Sequence, residues 1–201
     1  MTAELTAADP PSLVLQPLTD AGDDYLPATP ETTTWGRLPC ADDAPALSVD
    51  PGTTVVVDTV SHEGILEDQG RDPVAFFGAH GVDPADVLLD AIAVAAHGDH
   101  DVTGGPHVVT GPIEVRGTEP GDLLAVRIDA LVPRAPYGVI SSRHGKGLLP
   151  DAFPAHGSLA SVFCRVEGLE LARGDFLVDP LPEGPFDVVL ISNVLHMYSP
   201  D

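Results

Sequence analysis

Proline and glycine recur along the whole chain, and this distribution constrains the fold more than any other feature of the sequence. The 201 residues include 21 prolines and 20 glycines. Both residues interrupt regular helices and strands, so the chain divides into many short segments. Short segments separated by frequent turns are typical of a mainly β (α+β) fold. A chain of this length fits one domain, or one domain with an appendage.

The charge and the cysteine content exclude several kinds of partner and site. The formal net charge is −22, and Lys146 is the only lysine. Because phosphate contacts need Lys and Arg, the sequence predicts no binding to nucleic acid, and it disfavours membrane surfaces. The two cysteines, Cys40 and Cys164, lack the spacing of a zinc ribbon. With no signal peptide and no apolar run of about 20 residues, the chain is predicted to be cytoplasmic.

Two segments have clear secondary-structure signals. The β-branched run at residues 53–60 predicts a strand that leads directly into the polar residues 61–64. Apolar residues recur at spacings of three and four over residues 83–97, which predicts a helix. Asp83 is a suitable cap for that helix, and Gly98 is a suitable stop.

Residues 107–132 predict a β-hairpin whose turn is the Glu-Pro-Gly-Asp sequence at 119–122. The returning strand alternates, with Val126 and Ile128 on one face and Arg127 on the other. Beyond the hairpin, the sequence predicts a loop that folds over a site at residues 133–157 and a short strand at residues 160–166.

The predicted hairpin carries a resemblance to a known family. Residues 107–122 read HVVTGPIEVRGTEPGD. This is similar to the Thr-Gly-Pro and Gly-Ala-Glu-Pro-Gly-Asp signature of the acetamidase/formamidase family, with Thr118 where the family usually has Ala. The sequences SHEG at 61–64, Tyr137-Gly138, and RHGKGLLP at 143–150 also resemble that family.

The resemblance extends over about residues 50–167. It implies a jelly-roll-like β-sandwich, hydrolysis of short linear amides to ammonia and a carboxylate, and a bound divalent metal, either zinc or calcium. Family members are longer, and their second half carries a Gly-Asn-x-Asp segment that this sequence lacks. We therefore expect a truncated sandwich with one clear helix, inactive by itself. Its uncovered apolar surface favours a homo-oligomer.

The end of the chain resembles a different family. Residues 168–201 contain Phe-Asp-Val-Val-Leu and Asn-Val-Leu-His, which are similar to the later strands of a SAM-dependent O-methyltransferase. The sequence thus predicts an amidase-like domain at 1–167 and an α/β-type methyltransferase-like fragment at 168–201 that is not an independent domain. The alternative is a β-rich stretch that matches by chance. Since the sequence has no Gly-rich cofactor loop, no SAM binding is expected, which titration calorimetry with SAM would check.

Amide hydrolysis needs an activated water, a polarised carbonyl and a proton for the leaving nitrogen. A divalent metal supplies the first two, and a carboxylate or histidine supplies the third. His62 is the main candidate for a metal ligand or proton shuttle, and Glu63 for the base. Asp58 is a second candidate metal ligand, and His107 is a ligand or a residue that orients substrate. For each of them the alternative is an ordinary structural or solvated side chain.

Five residues are candidates for substrate binding: Thr110, Tyr137, Arg143, His144 and Lys146. For the last three a solvated loop is the alternative. Residues 97–101 contain two histidines and two aspartates at a predicted helix end, and the pattern favours a structural role over a metal site. Beside the amide hydrolase, two other functions stay open: a non-catalytic β-module that binds a metal or a partner, and, less strongly supported, a methyltransferase fragment.

Overall fold

The structure is a computed structural model that describes residues 14–19, 22–146 and 149–166. The predicted methyltransferase-like fragment at 168–201 lies outside the described residues. The strands are β1 (Tyr25–Leu26), β2 (Thr33–Trp35), β3 (Leu47–Val49), β4 (Val56–Val57), β5 (Val108–Thr110), β6 (Ile113–Val115), β7 (Tyr137–Arg143) and β8 (Leu159–Arg165). The helices are α1 (Pro73–Gly78) and α2 (Leu89–His97), with 3₁₀ turns at Glu67–Gln69 and Pro84–Asp86. The prediction of a mainly β fold with one clear helix is confirmed.

The described strands pair two by two. Strands β1 and β4 are parallel, β2 and β5 antiparallel, β3 and β6 parallel, and β7 and β8 antiparallel. The last pair is the longest, with seven residues of each strand in register from Tyr137 opposite Arg165 to Arg143 opposite Leu159. The short strand predicted near the end of the described chain is therefore confirmed as β8. The jelly-roll arrangement stays a prediction, because the described strands form two-stranded sheets.

The strand predicted at residues 53–60 is much shorter than expected. Only Val56 and Val57 pair, because their partner β1 is itself two residues long. The backbone N–H of Asp58 still donates to Leu26, at 3.0 Å, and the chain then turns inward so that Val60 is buried. A β-branched run pairs only as far as a partner strand extends.

The prediction that the two halves of residues 107–132 pair with each other as a hairpin is wrong. The first half forms β5 and β6, which pair with β2 and β3 instead of with a returning strand. The turn at 119–122 is present, because the N–H of Asp122 donates to the carbonyl of Glu119 at 3.0 Å. Residues 122–133 form neither strand nor helix and are exposed throughout. The alternation of apolar residues therefore has no partner strand among the described residues.

The predicted loop over the site at 133–157 is also partly replaced by regular structure, since β7 begins at Tyr137.

The predicted helix at 83–97 is divided. Asp83 caps the 3₁₀ turn through a bond from the N–H of Ala85, and α2 begins only at Leu89. The break lies at Val87, whose extended backbone puts its side chain into the core at 1% exposure. Burial of this side chain therefore overrides the helical periodicity at the first turn.

The described residues form two hydrophobic core clusters that meet at α2. The first contains Ala28, Trp35, Val60, Ile65, Leu66, Ala91, Val94 and Ala95. The second contains Phe77, Val82 and Val87, against which Tyr137, Val139 and Phe163 of the β7–β8 ladder pack. This packing places β7 beside the chain at residues 61–65, where the predicted catalytic residues lie. Neither described helix has the length and apolar character that crossing a bilayer requires.

Candidate functional site

Residues 61–64 form a turn that directs Glu63 inward. The N–H of Glu63 donates to Ser61 Oγ at 3.1 Å, and the N–H of Gly64 donates to Gln69 Oε1 at 2.7 Å. Gly64 has a φ of +87°, and a Cβ there would lie 2.9 Å from the ring of Phe77, so this position requires glycine. The strand has ended before this turn. His62 and Glu63 therefore reach the same place, although neighbouring residues on a strand would face opposite sides.

Glu63 is 6% exposed, and its carboxylate lies among four polar side chains. Gln69 Nε2 donates to Oε2 at 2.5 Å, and Ser141 Oγ donates to Oε1. His62 Nε2 lies 3.3 Å from Oε1, and Arg143 Nη1 lies 3.9 Å from the same atom. Burial by itself raises the pKa of Glu63, but the hydrogen bonds from His62, Ser141 and Gln69 outweigh it and lower the pKa to about 2. Glu63 is therefore ionised near neutral pH and is a weak base.

The carboxylate of Asp68 holds Arg143 beside the carboxylate of Glu63. Arg143 Nε and Nη2 donate to the two oxygens of Asp68 at 2.5 and 3.0 Å, and its Nη1 donates to Ser141 Oγ at 3.0 Å. The fork-like pairing with Asp68 lowers the pKa of that carboxyl. Arg143 thus holds Ser141, which in turn holds Glu63.

His62 also contacts the second predicted catalytic histidine. The rings of His62 and His107 meet edge to face, with their centroids 5.1 Å apart. The backbone carbonyl of His107 accepts from the N–H of Gly36 at 3.0 Å, which anchors the start of β5. The structure therefore brings together His62, Glu63, His107 and Arg143, which come from three separate parts of the sequence.

Asp58 and Thr110 are engaged elsewhere. Thr110 Oγ1 donates to the backbone carbonyl of Asp58 at 2.8 Å, so Thr110 joins β5 to the chain after β4. The carboxylate of Asp58 accepts from the hydroxyl of Tyr25 at 2.5 Å and lies 3.4 Å from Arg134 Nη2. Arg134 also pairs with the buried Asp90. These contacts place Asp58 in a structural ion-pair network.

The donor set for a divalent metal is incomplete in the described part of the chain. No group of three or more His, Cys, Asp or Glu side chains within residues 14–19, 22–146 and 149–166 is arranged to hold an ion. A catalytic zinc needs three protein ligands and an open position. The described residues alone do not fit such an ion, and the predicted roles of His62 and Asp58 as its ligands stay predictions.

A cleft of about 90 Å³ lies beside Glu63. Its walls are formed by Val60, Ser61, Glu63, Phe77, Leu88, Ala91, Ala135, Tyr137, Gly138 and Val139. The hydroxyl of Tyr137 donates to the carbonyl of Asp86 at 2.9 Å, so this residue presents its ring to the cleft. Burial raises the pKa of Tyr137 to about 12. The cleft has room for a few water molecules, which is the size of a ligand with few non-hydrogen atoms.

Two predicted substrate-binding residues lie on the surface. His144 and Lys146 are exposed in the turn after β7, where the N–H of Lys146 donates to the carbonyl of Arg143 at 3.1 Å. Their contact with a substrate stays a prediction.

The histidine cluster at 97–101 agrees with the structural interpretation. His100 stacks on Trp35 with ring centroids 4.2 Å apart, and its Nδ1 lies 2.8 Å from Glu67 Oε1.

Three residues of the site carry no motif that would identify them from the sequence. Gln69, Asp68 and Ser141 surround Glu63 and Arg143, and none of them belongs to a segment that resembled a family motif. Ser141 had one usable signal, because it lies two residues before Arg143 and residues so spaced on a strand share a face. Gln69 and Asp68 lie in a 3₁₀ turn that sequence periodicity does not reveal.

The comparison with known families gives one match. Residues 96–168 match the acetamidase/formamidase family. The matched range contains β5 to β8 with His107 and Arg143, while His62 and Glu63 lie before it. No curated protein and no solved structure matches the chain. The match supports the resemblance found at residues 107–122 and gives no support to a methyltransferase-like end.

Proposed function

We propose that this chain is an amide hydrolase of the acetamidase/formamidase type, acting on short linear amides to give ammonia and a carboxylate. The observation that carries the proposal is the position of Glu63. Glu63, whose carboxylate is ionised, lines a small, mostly apolar cleft, and the family-matched strand β7 lines the same cleft with Tyr137 and Val139. A small cleft with one charged acceptor suits a ligand that has an N–H donor and few other atoms.

The cleft offers a definite orientation to a primary amide. Glu63 accepts a hydrogen bond from the NH₂ group, while the aliphatic walls at Val60 and Val139 contact the short acyl end. The apolar walls exclude water from the carbonyl face and strengthen the polar contacts inside. This orientation favours formamide and acetamide over longer amides, because the cleft has room for few atoms.

This proposal assigns the proton transfer to His62. A base with a pKa of about 2 is poorly matched to neutral pH, so Glu63 fits the role of orienting the His62 ring, whose Nε2 lies 3.3 Å from its carboxylate. His62 contacts Glu63 and does not itself line the cleft, so the proposal places the attacked carbonyl at the edge of the cleft next to Glu63. There the imidazole takes a proton from the attacking water and returns one to the leaving nitrogen. His107, in edge contact with the His62 ring, limits the positions that this ring can adopt. The divalent metal stays a prediction, and none of these steps depends on it.

The test is ammonia release from formamide and acetamide by the purified protein, with added zinc, with added calcium and with a chelator. The sequence alone predicts an inactive truncated chain, but the described residues bring His62, Glu63, His107 and Arg143 together, and for that reason we expect turnover. It should fall by about 10²-fold or more in His62→Ala, the range typical of acid–base catalysis. His156→Ala, at an exposed histidine, is the matched control and should keep full activity. A folded wild-type protein without turnover under all three conditions contradicts the proposal, and equal turnover in His62→Ala contradicts the assigned site.

A second candidate function is a non-catalytic β-module that binds a partner. It is favoured by the exposed apolar residues at 123–132. Such a module takes up formamide, a metal ion or a protein without releasing ammonia. Titration calorimetry with formamide, run beside the ammonia assay on the same sample, separates the two functions, because only the enzyme converts what it binds.

A further inference from the structure

Residues 123–132 form an exposed stretch that we call the apolar segment. Its sequence is LLAVRIDALV, and Leu123 and Ile128 are 97% and 72% exposed. Leu124, Val126, Leu131 and Val132 are also exposed. Monomeric proteins rarely leave a contiguous apolar stretch in water, and such stretches mark interaction surfaces. The alternation of the segment is that of a β-strand, yet it forms no strand within the described residues.

Two charged residues interrupt the apolar pattern, and their positions are informative. Arg127 and Asp129 flank Ile128 and lie on the same face, where Arg127 Nε donates to Asp129 Oδ1 at 2.5 Å. The segment therefore carries one positive and one negative charge placed symmetrically about one apolar residue. A sequence with this symmetry is complementary to an antiparallel copy of itself.

We propose that the apolar segment is a dimerisation strand, which pairs antiparallel with the same segment of a second copy of this chain around a two-fold axis at Ile128. Arg127 then lies directly opposite Asp129 of the second copy, and Asp129 opposite its Arg127. On the other face, Val126 lies opposite Ala130, with the two Ile128 side chains together at the axis. The pairing converts a segment that has no partner strand in the described part of the chain into a strand of an intermolecular sheet.

The charges select this register over its neighbours. A shift of two positions in either direction places Arg127 opposite Arg127, or Asp129 opposite Asp129, and like charges directly opposite are destabilising. A shift of one position sets the charged face of one strand beside the apolar face of the other. A parallel pairing in register also puts like charges side by side. Only the register centred on Ile128 satisfies both the alternation and the charges.

Reversal of the charges tests this register. We expect the wild-type protein to sediment as a dimer, at twice the 20.9 kDa mass of the chain. Arg127→Asp alone should shift it to the monomer, because it creates two pairs of facing aspartates. The double variant Arg127→Asp, Asp129→Arg should restore the dimer, because the opposite charges face each other again. Arg116→Asp, at an exposed arginine outside the segment, is the control that should remain dimeric.

Crosslinking gives a measurement that does not rely on the charge variants. A residue on a two-fold axis meets its own copy, so Ile128→Cys in a Cys40→Ser background should form a disulfide-linked dimer on mild oxidation. Leu123→Cys in the same background should not. In the proposed register its copy lies ten positions away along the strand, or about 33 Å at the usual rise per residue.

Four results would overturn the proposal: a monomeric wild-type protein, a dimer indifferent to Arg127→Asp, a double variant that stays monomeric, or equal crosslinking by the two cysteine variants. A monomer with a protected apolar segment would mean that another part of the chain or a different partner covers it. The fluorescence of Trp35, the sole tryptophan, verifies that each variant is folded. The test is independent of amide hydrolysis, so the two proposals stand or fall separately.

Discussion

Replacing Glu63 by glutamine removes the negative charge from the centre of the site and keeps the size of the side chain. The lowering of the Glu63 pKa from 4.5 to about 2 measures how much better the folded protein holds the carboxylate than the carboxylic acid. At about 1.4 kcal/mol per pKa unit, the ionised form contributes about 3 kcal/mol to the free energy of unfolding. Glutamine resembles the neutral acid, so Glu63→Gln is expected to lose about that amount at neutral pH.

The pH dependence of this difference has a definite sign. Because the pKa of Glu63 is depressed by folding, its contribution is fully present above the unfolded value of 4.5 and is lost as the pH falls through about 2. About half of it remains near pH 3. The gap between the wild type and Glu63→Gln should therefore be widest at pH 6–7 and should close in acid.

Urea denaturation of metal-free protein measures both the stability lost in Glu63→Gln and the change of that loss with pH. Unfolding is followed by the fluorescence of the buried Trp35. Comparison with the variant at each pH cancels the contributions of the other carboxylates. Glu119→Gln, in an exposed turn, is the matched control and should change stability by no more than about 0.5 kcal/mol. A gap that stays constant from pH 7 to pH 3, or a Glu63→Gln variant as stable as the wild type, would refute the reasoning.

Three further changes test the packing, a helix cap and a turn, each by urea denaturation. Ile65→Ala removes a fully buried side chain and should cost about 2–5 kcal/mol, whereas Leu38→Ala at 78% exposure should cost little. Asp72→Ala removes the side-chain cap of α1 and should cost about 1 kcal/mol; no change would mean that water replaces the cap. Gly36→Ala, whose added methyl meets a backbone carbonyl oxygen at 2.3 Å, should destabilise more than Gly52→Ala, which has a similar positive φ and open space. Equal costs for the two glycines would count against the close approach.

Local signals in the sequence predicted the elements whose stability is local. The apolar stripe of α2 and its stop at Gly98 were predicted, because helix periodicity and termination depend on near neighbours. The pairing of β5 and β6 was not, since the paired residues of β2 and β3 lie 66 to 77 positions earlier in the sequence. Alternation indicates that a segment suits a strand, but it does not identify the strand beside it.

The same distinction applies to the site. His62, Glu63, His107 and Arg143 were predicted from short motifs, and the structure brings them together. The depressed pKa of Glu63 was not predictable, because it depends on Gln69 and Ser141, whose side chains are fixed only by the folded turn and by β7. Asp58 was predicted as a metal ligand. In the structure its carboxylate accepts a hydrogen bond from Tyr25, which lies in a short strand that no sequence motif indicates.

The bond between Ser141 and Glu63 joins positions 78 residues apart, and the bond between Arg143 and Asp68 spans 75. Contacts at such separations close large loops and form late when a chain folds, after local turns and helices. The turn at residues 61–64 and helix α2 are local and can form early, when Glu63 has its contacts with His62 and Gln69 but not yet the bond from Ser141. The bond from Ser141 lowers the pKa of this carboxyl group further, so a second increase in its acidity during refolding would time the docking of β7 beside the cleft.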